Sequence, residues 1–291
     1  MSKLTGLTAE PNPLTQALAP YDAQIRKDDG PFPRDKKLIW ICSGRKGSGK
    51  SNLILSLLQR AQSPVYKSYD NVILISPSAR RDDKFNHLVS ELRDSGNFYE
   101  ELNEDVIAEI LDRLREYNDQ YARDAAEFAR NKREEGEGYY TREEVVKVRV
   151  GGHMREKTIT HKITVLPPAP NHLLILDDCL HMMPKSTDKT LINSLWTNHR
   201  HSKLSIWVAV QNYNKGANTL VRNNADLISI FRTENKHELD TIKEDLAIEK
   251  DVFDRVYDFA TTEPYSFMHV NLSSGTGRPV FYRKFDKIVG L

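Results

Sequence analysis

The sequence predicts an α/β fold built on a mainly parallel central sheet flanked by helices. Three observations carry that prediction. Apolar runs of strand length recur without polar alternation, as strands buried on both faces do, and residues 38–42, 72–75 and 173–176 are the clearest. The first of these runs empties into a glycine-rich turn that opens an amphipathic helix. Helical and strand-like segments then alternate towards the end of the chain, the pattern of strand–helix–strand units.

Bulk properties narrow the choices. With 291 residues the chain is long enough for one large or two small domains. A formal net charge of +1 means that any nucleic-acid surface is a local patch rather than a property of the whole molecule. Cys42 and Cys179 lie far apart in sequence and fit neither a metal spacing nor a disulfide framework, so reduced thiols and an intracellular setting are expected. No apolar run approaches the roughly 20 residues of a membrane span, and the first residues lack a signal-peptide pattern. The expectation is a soluble protein with no membrane span.

Residues 1–36 carry Pro11, Pro13, Pro20, Pro31 and Pro33 with little periodicity. They read as an arm or extension, either a tail or a strap that docks on a neighbouring subunit. The strand at 38–42 follows and leads into Gly44, Arg45, Lys46, Gly47, Ser48, Gly49, Lys50 and Ser51, which fit Gly-x-x-x-x-Gly-Lys-Ser, the phosphate-binding loop. Glycines let consecutive backbone N–H groups point into one concavity, and the helix N-terminus adds favourable partial charge. Lys50 is placed to reach the β- and γ-phosphates of ATP, and the Ser51 hydroxyl suits a Mg²⁺ ligand.

Ser63-Pro64 breaks the chain, residues 70–77 read as a second buried strand, and 78–83 as a polar loop. Residues 101–144 differ in kind. Apolar positions from Val106 to Phe128 recur every three or four residues, which predicts one long amphipathic helix, and the segment holds 14 acidic against 7 basic residues. The period then drops to two. Val146, Val148 and Val150 alternate with Lys147 and Arg149, Gly151-Gly152 supplies a turn, and 158–165 alternates again, a β-hairpin signature. Between 145 and 165 five basic residues face one acid, Glu156. Lys147, Arg149, Arg155 and Lys157 are therefore candidate contacts to DNA phosphates, with an ordinary solvated hairpin as the alternative.

Residues 172–178 supply the partner that a phosphate-binding loop requires, an apolar strand ending in paired carboxylates, the Walker B form. Asp177 is the candidate for the Mg²⁺ shell and Asp178 for orienting or deprotonating the attacking water. A predicted helix at 186–197 leads to residues 198–201, where His199 and His201 lack the further ligands that a zinc site needs. Residues 203–211 form a strand ending in Gln211, a candidate γ-phosphate sensor, and 224–232 form one more. Arg200 and Arg222 are competing candidates for an arginine finger reaching a neighbouring subunit's nucleotide. Helices at 237–248 and 251–260 and a strand pair at 266–272 and 278–283 complete the chain, the pair extending the sheet at an edge. The strand order describes a RecA-like (ASCE) P-loop NTPase core. One domain is expected over 37–291, with an insertion at about 99–166.

With these residues in place the chain resembles the viral genome-packaging ATPases of the FtsK–HerA superfamily, in the poxvirus-type branch, over roughly residues 36–291. The likeness rests on residues 44–51, 71–78 and 173–178, on Arg200-His201, on Gln211, on 222–226 and on 263–268. It implies a homo-oligomeric ring, pentamer or hexamer, that uses ATP to drive double-stranded DNA into a preformed capsid at a capsid or portal vertex. It also implies work in the host cytoplasm or at a virus assembly site, or association with the virion. Two departures stand out. Asp178 occupies a position where many relatives carry Glu, and the insertion is unusually large. A HerA-like helicase or conjugative DNA pump would share the same core. A small-substrate kinase is disfavoured by the Gln-ended strand, and a GTPase by the lack of an Asn-Lys-x-Asp motif. A nucleotide-dependent scaffold is the remaining alternative.

Overall fold

The structure is a computed structural model that describes residues 31–33, 36–59, 69–81, 83–150, 153–179, 182–185, 187–274 and 278–288. Its first half runs β1 (Ile39–Ser43), α1 (Lys50–Gln59), β2 (Asn71–Ile75), α2 (Asn86–Asp94), β3 (Phe98–Tyr99), α3 (Glu104–Glu134), β4 (Tyr140–Val150) and β5 (His153–Ile163). The second half begins with β6 (His172–Asp177), α4 (Leu191–Asn198), β7 (Leu204–Val210), α5 (Tyr213–Gly216), α6 (Thr219–Asn223) and β8 (Leu227–Phe231). It closes with α7 (Lys236–Leu246), α8 (Lys250–Thr261), β9 (Phe267–Asn271), β10 (Val280–Arg283) and β11 (Asp286–Lys287).

Nine strands form one sheet in the order β11-β10-β9-β8-β1-β7-β6-β2-β3. From β8 to β3 every pairing is parallel, and β9, β10 and β11 add an antiparallel edge. Alternate residues of each central strand enter opposite layers. Ile41, Leu174, Ile206 and Ile228 pack with α3, α4, α7 and α8 on one face, while Trp40, Leu173 and Trp207 pack with α1 and α2 on the other. Two-sided burial is why these strands read as continuous apolar runs. It also raises the thiols of Cys42 and Cys179 to about 12, leaving both buried and protonated.

The segment between β2 and β6 departs from expectation. α2 and β3 lie between the predicted loop at 78–83 and the predicted long helix, where no element was expected, α2 burying Leu88, Val89 and Leu92. The long helix begins at an Asn103 cap that accepts from Val106 N–H and stops at Glu134, ten residues early. Gly136, at φ +81, turns the chain, and residues 140–144 continue as β4 rather than helix. Ile107, Ile110 and Leu114 of α3 belong to the main core. The second half of α3 carries the hairpin instead: Asp124 holds Arg142 at 2.6 Å, and Asn131 donates to the Tyr139 carbonyl at 3.0 Å. The predicted turn at Gly151-Gly152 and the break at Ser63-Pro64 lie outside the described residues.

Within the N-terminal extension, the described Pro31 and Phe32 dock on the protein's own sheet. Phe32 meets Trp40 edge-on at 5.2 Å, and the Pro31 carbonyl accepts from His269 Nε2 at 2.8 Å. Residues 1–30 lie outside the described residues. Among the described residues no helix is long and apolar enough to cross a membrane.

Candidate active site

Parallel strands present their carboxyl ends at one edge of a sheet, and the sheet order places β7 between β1 and β6. The loops after these three strands are tied to one another. Gly44 N–H donates to the Val210 carbonyl at 3.1 Å and Asp178 N–H to the Ala209 carbonyl at 3.2 Å. The phosphate loop, the paired aspartates and Gln211 therefore meet around one cleft of about 870 Å³, whose lining includes Lys46, Lys50, Ser51, Asp177, Asp178 and Gln211.

The loop has the backbone that its glycines allow. Gly49 stands at φ +108, which a side chain would resist, just ahead of α1. Arg45 and Lys46 are exposed, whereas Lys50 is buried with its ammonium on the Gly44 and Arg45 carbonyls at 2.5 and 3.3 Å. Across the cleft Asp177 is buried and accepts from Ser76 Oγ at 3.0 Å. Ser76 is fixed in turn by the Ala79 N–H, which donates to its hydroxyl at 3.2 Å. Asp178 takes a left-handed backbone, φ +53, and accepts from Gln211 Nε2 at 3.0 Å. Asp177 and Ser51 offer the hard oxygen donors that Mg²⁺ prefers, and both line the cleft, so the residues present fit that ion.

Behind the cleft lies a residue that the sequence did not single out. Glu238 of α7 is buried and accepts from Ser43 Oγ at 3.1 Å, Tyr213 N–H at 2.6 Å and Thr233 Oγ1 at 3.0 Å. One carboxylate thus ties the end of β1 to the segment after Gln211 and to the loop after β8. Ser76 was likewise missed as a partner of Asp177, although its place directly after an apolar strand was a usable signal.

The two candidate arginines are not at this edge. Arg200 precedes β7 and so lies towards the amino end of that strand, about 20 Å from the cleft of its own chain by the length of β7, while Arg222 lies in the connection from β7 to β8. Arg222 is only 14% exposed, pairs with Asp245 at 2.9 Å and stacks over Tyr213. Arg200 is 65% exposed and reaches Asp226 at 3.1 Å. Burial raises the Asp226 carboxyl pKa, opposed by the Ile39 N–H and by Arg200.

The hairpin's basic residues divide between its faces. By register Lys157 shares a face with Val146, while Lys147 lies on the other with Glu156. Lys147 and Lys157 are exposed; the side chains of Arg149 and Arg155 lie outside the described ones.

The strand order and the loops it brings together define a P-loop NTPase core, mixed α/β with a mostly parallel sheet and, among the described residues, no closed barrel. No protein-family model and no curated protein matches the chain. Among solved structures it is similar to the genome packaging NTPase B204 from Sulfolobus turreted icosahedral virus 2 in complex with ATP-gammaS. The identity is 17% over 84% of this chain and 97% of that one, with a TM-score of 0.49. It is also similar to the pCW3 conjugation coupling protein TcpA, at 15% identity over 86% and 61% of the two chains and a TM-score of 0.43. The cytoplasmic domain of the type VII secretion ATPase EccC from Thermomonospora curvata matches at 15% identity over 90% and 26%, with a TM-score of 0.44.

Proposed function

We propose that this chain hydrolyses ATP to drive double-stranded DNA into a preformed viral capsid, acting as a ring of identical subunits. The observation that supports the hydrolytic part is the hydrogen-bonded pair of Asp178 and Gln211 in the cleft that the phosphate-binding loop also lines. Loop amides and Lys50 bind the phosphates, the ammonium exchanging its loop carbonyls for phosphate oxygens. Asp178 orients a water for in-line attack on the terminal phosphorus and takes its proton as the bond to the bridging oxygen breaks, giving ADP and phosphate. Mg²⁺, when bound at Asp177 and Ser51, would neutralise phosphate charge. Gln211, bonded to Asp178, reports the presence of the γ-phosphate along β7.

The placement of Arg200, exposed and remote from its own cleft, supports action on a neighbouring subunit's nucleotide in a ring. Arg222 is committed within its own fold. The DNA step rests on the ordered motifs shared with packaging ATPases and on the basic end of the hairpin. The capsid or portal vertex is the proposed partner, and the host cytoplasm or the virus assembly site the proposed setting. Hydrolysis should vanish in Lys50→Ala and Asp177→Ala, measured as phosphate release; activity kept in either would remove the cleft from the account.

A further inference from the structure

A second cavity of about 420 Å³ lies beside the phosphate cleft, lined by Arg45, Ser48, Phe231, Thr262 and Tyr265 among others. Gly47 and Tyr265 border both spaces, so the two meet at the tip of the loop. Asp177, Asp178 and Gln211 line the first space and not the second. A triphosphate whose terminal group faces those three residues therefore leads its sugar and base along the loop to the second space.

Tyr265 is 72% exposed and holds φ +59, a backbone that residues with a Cβ avoid. Its ring stands 3.5 Å from where a Cβ on Gly49 would lie, with the Phe231 ring at 3.6 Å. An aromatic face is thus presented beside the loop instead of entering the core. The hydroxyl of Ser48, on the same cavity, is shielded and has no hydrogen-bond partner among the described residues. Arg45 is exposed, while three other polar side chains there are engaged. Thr262 donates to the Asp258 carbonyl at 2.6 Å, Ser266 to the Glu263 carbonyl at 2.6 Å, and Arg232 pairs with Glu234 at 3.3 Å.

We infer that the second cavity is the nucleoside subsite, that Tyr265 stacks on the base, and that the base is held by its face rather than read at its edge. This rests on the reading of the neighbouring cleft as a triphosphate site. Purines of either kind then bind alike, because a ring face is common to both and stacking tolerates base identity.

The test is calorimetric binding of ATP, GTP and inorganic tripolyphosphate to the full chain and to four variants. Tyr265→Ala should bind ATP about tenfold more weakly yet hold tripolyphosphate within about twofold, and Tyr265→Phe should match the parent. Thr262→Trp, which fills the cavity from its other side, should repeat the split if Tyr265→Ala does not fold. ATP and GTP should bind within about threefold of each other. The assignment is overturned if tripolyphosphate binds the parent protein as tightly as ATP, if both aromatic-site variants leave ATP affinity unchanged or weaken both ligands equally, or if one purine is preferred by about tenfold or more. Lys50→Ala separates the two levels: it should lose tripolyphosphate as well, and if it does not, the triphosphate reading of the cleft fails and the subsite with it.

Discussion

The carboxamide of Gln211 donates to Oδ2 of Asp178 at 3.0 Å, joining the end of β7 to the end of β6 at the mouth of the phosphate cleft. Asp178 makes this contact from a left-handed backbone, a strain that Asp and Asn tolerate better than other residues with a Cβ. Asp178→Asn keeps that tolerance and the shape while removing the proton acceptor. Single-turnover hydrolysis should fall about a hundredfold or more, with ATP affinity changed by less than about threefold. A rate within about threefold of the parent would mean that Asp178 is not the base.

Arg200 and Arg222 differ in exposure and partners, and their substitutions are expected to differ in effect. Arg222→Ala removes a half-buried ion pair and a ring contact with Tyr213 and should lower unfolding free energy by about 2 kcal/mol. Arg200→Ala removes a pair whose arginine is mostly in water and should cost less than about 1 kcal/mol, while abolishing hydrolysis in the assembled ring. Mixing Arg200→Ala with Lys50→Ala subunits should restore part of the turnover. No restoration would place Arg200 outside a neighbour's site.

His269 sets a pH dependence. Its Nε2 faces the Pro31 carbonyl, which can only accept, so the neutral ring donates there and accepts from Ser229 Oγ at Nδ1, 2.8 Å away. Burial lowers its pKa from 6.5 to about 4. Above pH 6.5 the stability of the neutral ring is fully present. Between 6.5 and 4 the unfolded chain takes the proton first, so stability is lost as pH falls, by about 3 kcal/mol in all. His269→Gln should remove that part of the slope in denaturant titrations at pH 7 and 4.5. An unchanged slope would assign acid sensitivity to other groups.

The hairpin is tested by salt. Lys147→Glu and Lys157→Glu, on opposite faces by register, should each reduce the slope of log affinity for duplex DNA against log salt by about 1 if both faces meet phosphate. A loss from one alone identifies the face that meets DNA, and no loss from either returns the hairpin to an ordinary solvated ribbon.

How much of this was legible depends on whether a feature is local in sequence. The central strands were readable because two-sided burial makes them uniformly apolar, and the phosphate loop because its residues are consecutive. β3 was not, since two residues carry no period, and α2 was overlooked although Leu88, Val89 and Leu92 recur at helical spacing. The early end of α3 was hidden by Glu143 and Glu144, which suit a helix but pair across to Thr160 and Ile159. Glu238 gathers partners from β1 and from the loops after β7 and β8, and such a hub exists only in three dimensions. The pairing of Arg200 with Asp226 and of Arg222 with Asp245 is likewise a contact that sequence order alone does not reveal.

The central claim is that hydrolysis in this cleft moves duplex DNA. Its most direct test is the steady-state ATPase rate with and without double-stranded DNA, at low salt, on protein of known oligomeric state. DNA should raise turnover in the assembled ring and leave Lys50→Ala inactive. Equal turnover with and without DNA, in a ring that hydrolyses ATP, would contradict it.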